Sequence, residues 1–145
     1  MDMSKNARAA ITFTVMSAVI VVYDAAGEFT HPQWGKDVPV FIMSHMDFFT
    51  GILVPAFFLL AAFSLARAWT GNRNGYAGII ATGIISGIWN IFPAVWRIQA
   101  GQPYAAAICL AQIILAGTAV WYALGAFREA RPVRRQAGAP AESRA

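Results

Sequence analysis

Residues 98–127 read IQAGQPYAAAICLAQIILAGTAVWYALGAF, a run between Arg97 and Arg128 that holds no charged side chain. A helix needs about 20 predominantly apolar residues to cross a hydrocarbon core about 30 Å thick, and this run is longer than that. The stretch before it, residues 74–96 (NGYAGIIATGIISGIWNIFPAVW), is equally free of charge between Arg73 and Arg97. Residues 48–66 form a third such run between Asp47 and Arg67. A fourth, residues 9–23, is short, but carried on to Gly27 it would rise about 28 Å as a helix. Lys5 and Arg8 before a short apolar core resemble a leader peptide, yet Asp24-Ala25-Ala26-Gly27 offers no clear small-x-small cleavage pattern. A retained first helix is the expectation, and it places Asp24 inside the outer end of the span.

The reading is therefore an all-α integral membrane four-helix bundle, with spans at about 9–27, 44–69, 76–98 and 104–127 in one domain, residues 1–127. Composition supports it. Of 145 residues, 58% are hydrophobic and 12% charged, and the mean hydropathy is +0.52. A soluble domain of this size has no interior large enough for that much apolar surface. A soluble globular enzyme, a disordered chain and a nucleic-acid-binding module are all excluded. Gly- and Asn-rich TGNRNG (70–75) and AGQP (100–103) read as tight helix–helix turns.

The net charge of +4 is unevenly placed. Of the 11 Lys and Arg residues, all but Lys36 and Arg97 fall in the N-terminal segment, the second connection or the C-terminal segment. By the positive-inside rule both termini lie in the cytoplasm, consistent with a bacterial inner membrane. Residues 128–145, rich in Ala, Arg, Gly and Pro, read as a disordered basic cytoplasmic tail beside an anionic leaflet.

Polar residues inside hydrocarbon are costly and mark functional positions. Here they gather in the outer half. Asp24, Asp47 and Arg97 lie near the outer rim, and Asn90 and Gln112 lie about 12 Å below it. The inner half holds only hydroxyls such as Thr14, Ser64 and Thr118. Pro55 and Pro93 withhold an N–H from the carbonyls of Gly51 and Trp89, beside these polar stripes. Two readings follow. In one, Asp24, Asp47, Asn90, Arg97 and Gln112 line a small-solute site between the second, third and fourth helices. In the other, the prolines only shape packing, and Asn90 and Gln112 bond each other as interhelical glue.

FIMSHMDFF (41–49) places Met43 and His45 close together, and His31 lies upstream. Met and His would suit a soft ion such as Cu(I), but the spacing matches no specific metal motif. The ordinary account is a helix start with an interfacial His, and no cofactor is identified. The single cysteine, Cys109, reads as a small inert core residue. Small residues let helices approach closely, so Gly83, Gly87, Gly117 and Gly125 mark either packing within the chain or a homo-oligomeric or larger membrane assembly. The expected function is binding or translocation of a small solute. An accessory role in a redox or photosynthetic membrane complex is the alternative, and an intramembrane enzyme on a lipophilic substrate, with Asp24 or Asp47 as acid–base, comes third. No catalytic constellation is picked out by spacing.

Overall fold

A computed structural model describes residues 3–30 and 54–130, with the side chains of residues 25–30 and 54 outside that description. The described residues form four helices: α1 (Lys5–Thr30), α2 (Val54–Trp69), α3 (Arg73–Gln99) and α4 (Pro103–Glu129). The chain is an all-α helical bundle. Three helices are long and apolar enough to cross a membrane, and the described part of α2 is a shorter apolar helix. The membrane class read from composition therefore stands. The upstream part of the expected second span, residues 44–53, lies outside the described residues, as do Gly51 and most of the expected tail.

Helices α1, α3 and α4 run further than their expected spans, because hydropathy marks the hydrocarbon and a helix can continue into the interface; α2 ends at Trp69, as expected. α1 starts at Lys5, and α3 at Arg73. Both turns end their helix in the same way. Gly71 adopts φ 73° and donates to the Ala68 carbonyl, while Asn72 N–H reaches back to Arg67. Gly101 at φ 69° donates to Ile98, and Gln102 N–H to Arg97. These are two Schellman caps, each needing a left-handed residue that glycine adopts without strain. The next helix then starts at once. The Asn72 side chain accepts from Asn74 N–H at 2.9 Å, and Pro103 occupies the first turn of α4, where no N–H is needed.

Helices α1 and α4 lie antiparallel. At one end Asn6 Nδ2 donates to Glu129 Oε1, and at the other the Tyr23 and Tyr104 hydroxyls meet at 2.9 Å. α4 buries Ala105, Cys109, Gln112, Ala116, Ala119, Ala123 and Ala126, alternating steps of four and three. That 3.5-residue period defines a seam for close, left-handed packing. It faces Ala7, Ala10 and Ile11 of α1 and Ile79 of α3 in the core. Tyr76, near the start of α3, donates to the Ala68 carbonyl at 3.1 Å.

Size is sorted opposite to a soluble core. Small side chains lie inside, while Val19, Leu59, Ile88, Phe92, Ile114 and Trp121 point outward with more than half their surface bare. In water this would be prohibitive. In lipid, large apolar side chains face acyl chains at no cost, and small ones let backbones approach for dispersion contact. Gly75 illustrates the approach: a Cβ there would lie 2.2 Å from Ala68 N and 2.6 Å from Arg67 C. It belongs to the first turn of α3, not to the preceding loop as its Gly/Asn-rich context suggested.

Candidate functional site: a two-layer polar core

The seam of α4 is apolar except at two steps, Cys109 and Gln112, and each anchors a polar layer. The outer layer centres on Arg97, in the last turn of α3. Its side chain is only 4% exposed. Nη1 reaches both carboxylate oxygens of Asp24 on α1, at 2.9 and 3.2 Å. The same nitrogen lies 3.2 Å from the Ala105 carbonyl and 3.0 Å from Cys109 Sγ, both on α4. One buried guanidinium thus ties three helices together. The Asp24 side chain is 20% exposed.

About one turn deeper, the Gln112 amide lies between α1 and α3. Nε2 donates to Ser17 Oγ at 2.7 Å and to Ser86 Oγ at 2.9 Å. The residue is 2% exposed, and Oε1 has no hydrogen-bond partner among the described residues. An unsatisfied buried acceptor costs about 1–3 kcal/mol. Next to it is a cleft of about 20 Å³, bordered by residues of all four helices, including Thr14, Ser17, Phe57, Thr82, Ser86 and Gln112. A water molecule needs at least about 10–15 Å³ on this measure, so there is room for one.

Toward the inner side the polar groups are hydroxyls bonded to their own helices. Thr14 donates to Ala10 at 2.7 Å, Ser64 to Leu60 at 2.7 Å and Thr82 to Gly78 at 2.9 Å. These bonds use the hydroxyl proton and leave oxygen lone pairs for the interior.

Asp24 and Arg97 come together as an ion pair. Gln112 sits below them. Asn90 is half-buried and donates to the Ser86 carbonyl at 2.8 Å, one turn back on its own helix. Asn90 and Gln112 therefore do not bond each other; Ser86 separates them, with its carbonyl toward one and its hydroxyl toward the other. The polar partners come from α1, α3 and α4, whereas α2 contributes an apolar wall of Phe57, Phe58 and Ala61. Asp47, Met43, His45 and His31 lie outside the described residues. Among the described residues, no group of three or more His, Cys, Asp or Glu is placed to hold a metal ion.

Cys109 is buried, as expected, and its sulfur lies 3.0 Å from the Arg97 guanidinium. Ser86 was visible in the sequence only as a small residue beside glycines. For Cys109 the signal was the 3.5-residue seam of α4, on which a polarizable residue stands among alanines. The four glycines divide. A Cβ on Gly83 would strike Val120 Cγ2 at 2.5 Å, and one on Gly125 would strike Asn6 at 2.8 Å, so both serve packing within the chain. A Cβ on Gly87 or Gly117 meets nothing within 4 Å.

These features define a helical membrane protein with a buried ion pair above a neutral hydrogen-bonding layer. No family model, curated protein or solved structure matches the chain.

Proposed function

We propose that the chain resides in a bacterial inner membrane and binds or translocates a small solute in the polar outer half of its bundle. The observation that carries this reading is Gln112, 2% exposed, whose amide oxygen lacks a partner among the described residues, and which borders a cleft shared by all four helices. A purely structural amide would use both of its ends. Asp24 and Arg97 form the rim on the solute's side, and Asn90 holds the Ser86 backbone beside the amide.

The test is a panel of small solutes screened by thermal shift on the detergent-purified full chain and on an Asn90→Leu/Gln112→Leu variant. The wild type should be stabilised by at least one solute. The variant should fold, by gel filtration and thermal midpoint, and lose that response. A variant that responds as the wild type does removes Asn90 and Gln112 from the site. Association of copies, or docking into a larger membrane complex, would use the open backbone strip at Gly87 and Gly117. Native mass spectrometry tests that, and a monomer without a partner argues against it.

A further inference from the structure

We infer that the end of the bundle where α1 and α3 begin binds the phosphate headgroup of an anionic phospholipid, anchored by the Arg73 guanidinium over the Phe127 ring. This site stands apart from the polar core and does not depend on the solute reading above.

Three observations select this ligand. The first is the geometry of Arg73. Its Cζ lies 4.0 Å from the centre of the Phe127 ring, in the last turn of α4, and its Nε is covered. The ring shields one face of the cation and sets its place between α3 and α4. Among the described residues, Arg73 forms no ion pair and its side chain no hydrogen bond. With Nε covered, the two terminal nitrogens of the planar fork carry the donors still to be used, and such a fork matches the oxygens of one phosphate. The second is depth. Arg73 directly precedes the charge-free run 74–96, and Phe127 closes the run 98–127. Both stand where helices leave the hydrocarbon, which is the level of lipid headgroups. Leu124, one turn deeper on α4, is exposed apolar surface for an acyl chain to cover. A lipid phosphate is held at this depth by its own chains, and a free anion is not.

The third is the balance of charge. Lys5, Arg8, Arg67, Arg73 and Arg128 stand at this end against one described carboxylate, Glu129, which accepts from Asn6. Among the described residues the only ion pair, Arg97 with Asp24, lies at the opposite end. The chain that continues from here, residues 1–2 and 131–145, holds four arginines, one aspartate and one glutamate, so its side chains add to the excess. Neither α1 nor α3 has an acidic residue in its first turn, so the positive ends of two helix dipoles point the same way. Arg73 itself sits in such a first turn, where a cation is disfavoured unless an anion meets it. The anion comes from outside the chain, and an anionic headgroup answers the charge, the fork and the depth together.

The experiment is native mass spectrometry of the full chain in mild detergent, with phosphatidylglycerol and phosphatidylcholine of matched acyl chains added in equal amounts. The wild type should retain phosphatidylglycerol several-fold over phosphatidylcholine. Arg73→Gln should lower that preference about ten-fold, as the loss of a charge-assisted contact implies. Arg8→Gln removes the same charge from a side chain whose Nε is held by the Met3 carbonyl, and it should change the preference by at most about three-fold. Arg73→Lys keeps the charge without the planar fork, and Phe127→Leu keeps the guanidinium without its ring. Each should lower the preference by half or more, and these two carry the test if Arg73→Gln does not fold by gel filtration. Inorganic phosphate at matched ionic strength should leave the bound lipid in place. Equal retention of the two lipids overturns the inference. Equal losses in Arg73→Gln and Arg8→Gln overturn it too, by reducing the effect to diffuse charge. So does a folded Arg73→Lys or Phe127→Leu with the wild-type preference. Displacement of the lipid by inorganic phosphate would assign the site to a free anion instead.

Discussion

Replacing Asp24 by Asn should destabilise the bundle more than replacing Arg97 by Met, although both changes break the same ion pair. The asymmetry comes from burial: the Arg97 side chain is 4% exposed and that of Asp24 20%. Removing one partner of a fully buried pair costs about 3–5 kcal/mol, mostly for the charge left behind. Asp24→Asn leaves the guanidinium deep without its carboxylate, so about 2–4 kcal/mol is expected. Arg97→Met leaves a carboxylate that can turn to the rim and hydrate. The Met side chain fills the volume of the stem, and the Ala105 carbonyl keeps its place in α4. About 1–2 kcal/mol follows. In the double variant no charge is stranded, and its cost should lie within about 1 kcal/mol of the wild type, because replacing a buried pair by neutral groups is often near neutral. The coupling energy is then about 2 kcal/mol or more, in the sense that the second change repairs the first. The assay is reversible unfolding in mixed micelles of rising SDS fraction, followed through the 5 tryptophans. Additive effects within about 0.5 kcal/mol, or an Arg97→Met variant weaker than Asp24→Asn, would refute the reasoning.

Two further outcomes follow from close packing and from charge placement. Gly75→Ala sets a Cβ 2.2 Å from the Ala68 nitrogen, where only backbone can yield. It should cost more than about 2 kcal/mol, whereas Gly87→Ala, with nothing within 4 Å, should be neutral or gain up to about 1 kcal/mol of helix propensity. Thermal midpoints in one detergent compare the two, and a Gly75→Ala variant as stable as the wild type contradicts the packing account. A reporter fused after Ala145 should read as cytoplasmic, with GFP fluorescent and alkaline phosphatase inactive; the opposite pattern would invert the proposed orientation.

Much of the fold was legible because it depends on quantities that each residue carries alone. Charge-free runs marked the apolar helices, since an ionised group in hydrocarbon costs several kcal/mol wherever it points. Gly71 and Gly101 marked the turns, since a left-handed cap is a local demand. Helix ends were less legible, and Gly75 shows why. Its presence inside a first turn answers to the backbone of another helix, a contact that local sequence does not contain.

The candidate site divides along the same line. Sequence by itself determined that the chain belongs in a membrane, and that Asp24, Asn90, Arg97 and Gln112 stand on or beside apolar helices, where a polar group needs a partner. Depth follows from position along a helix, which is one coordinate. Partnership needs two more: which helices adjoin, and how each is rotated about its axis. Only the packing of the alanine seam of α4 against α1 and α3 supplies these. It joins Arg97 to Asp24 across 73 residues and Gln112 to Ser17 across 95. It turns Asn90 toward Ser86 instead of Gln112, gives Cys109 a charged neighbour, and sets Gln112 beside a cleft that all four helices border.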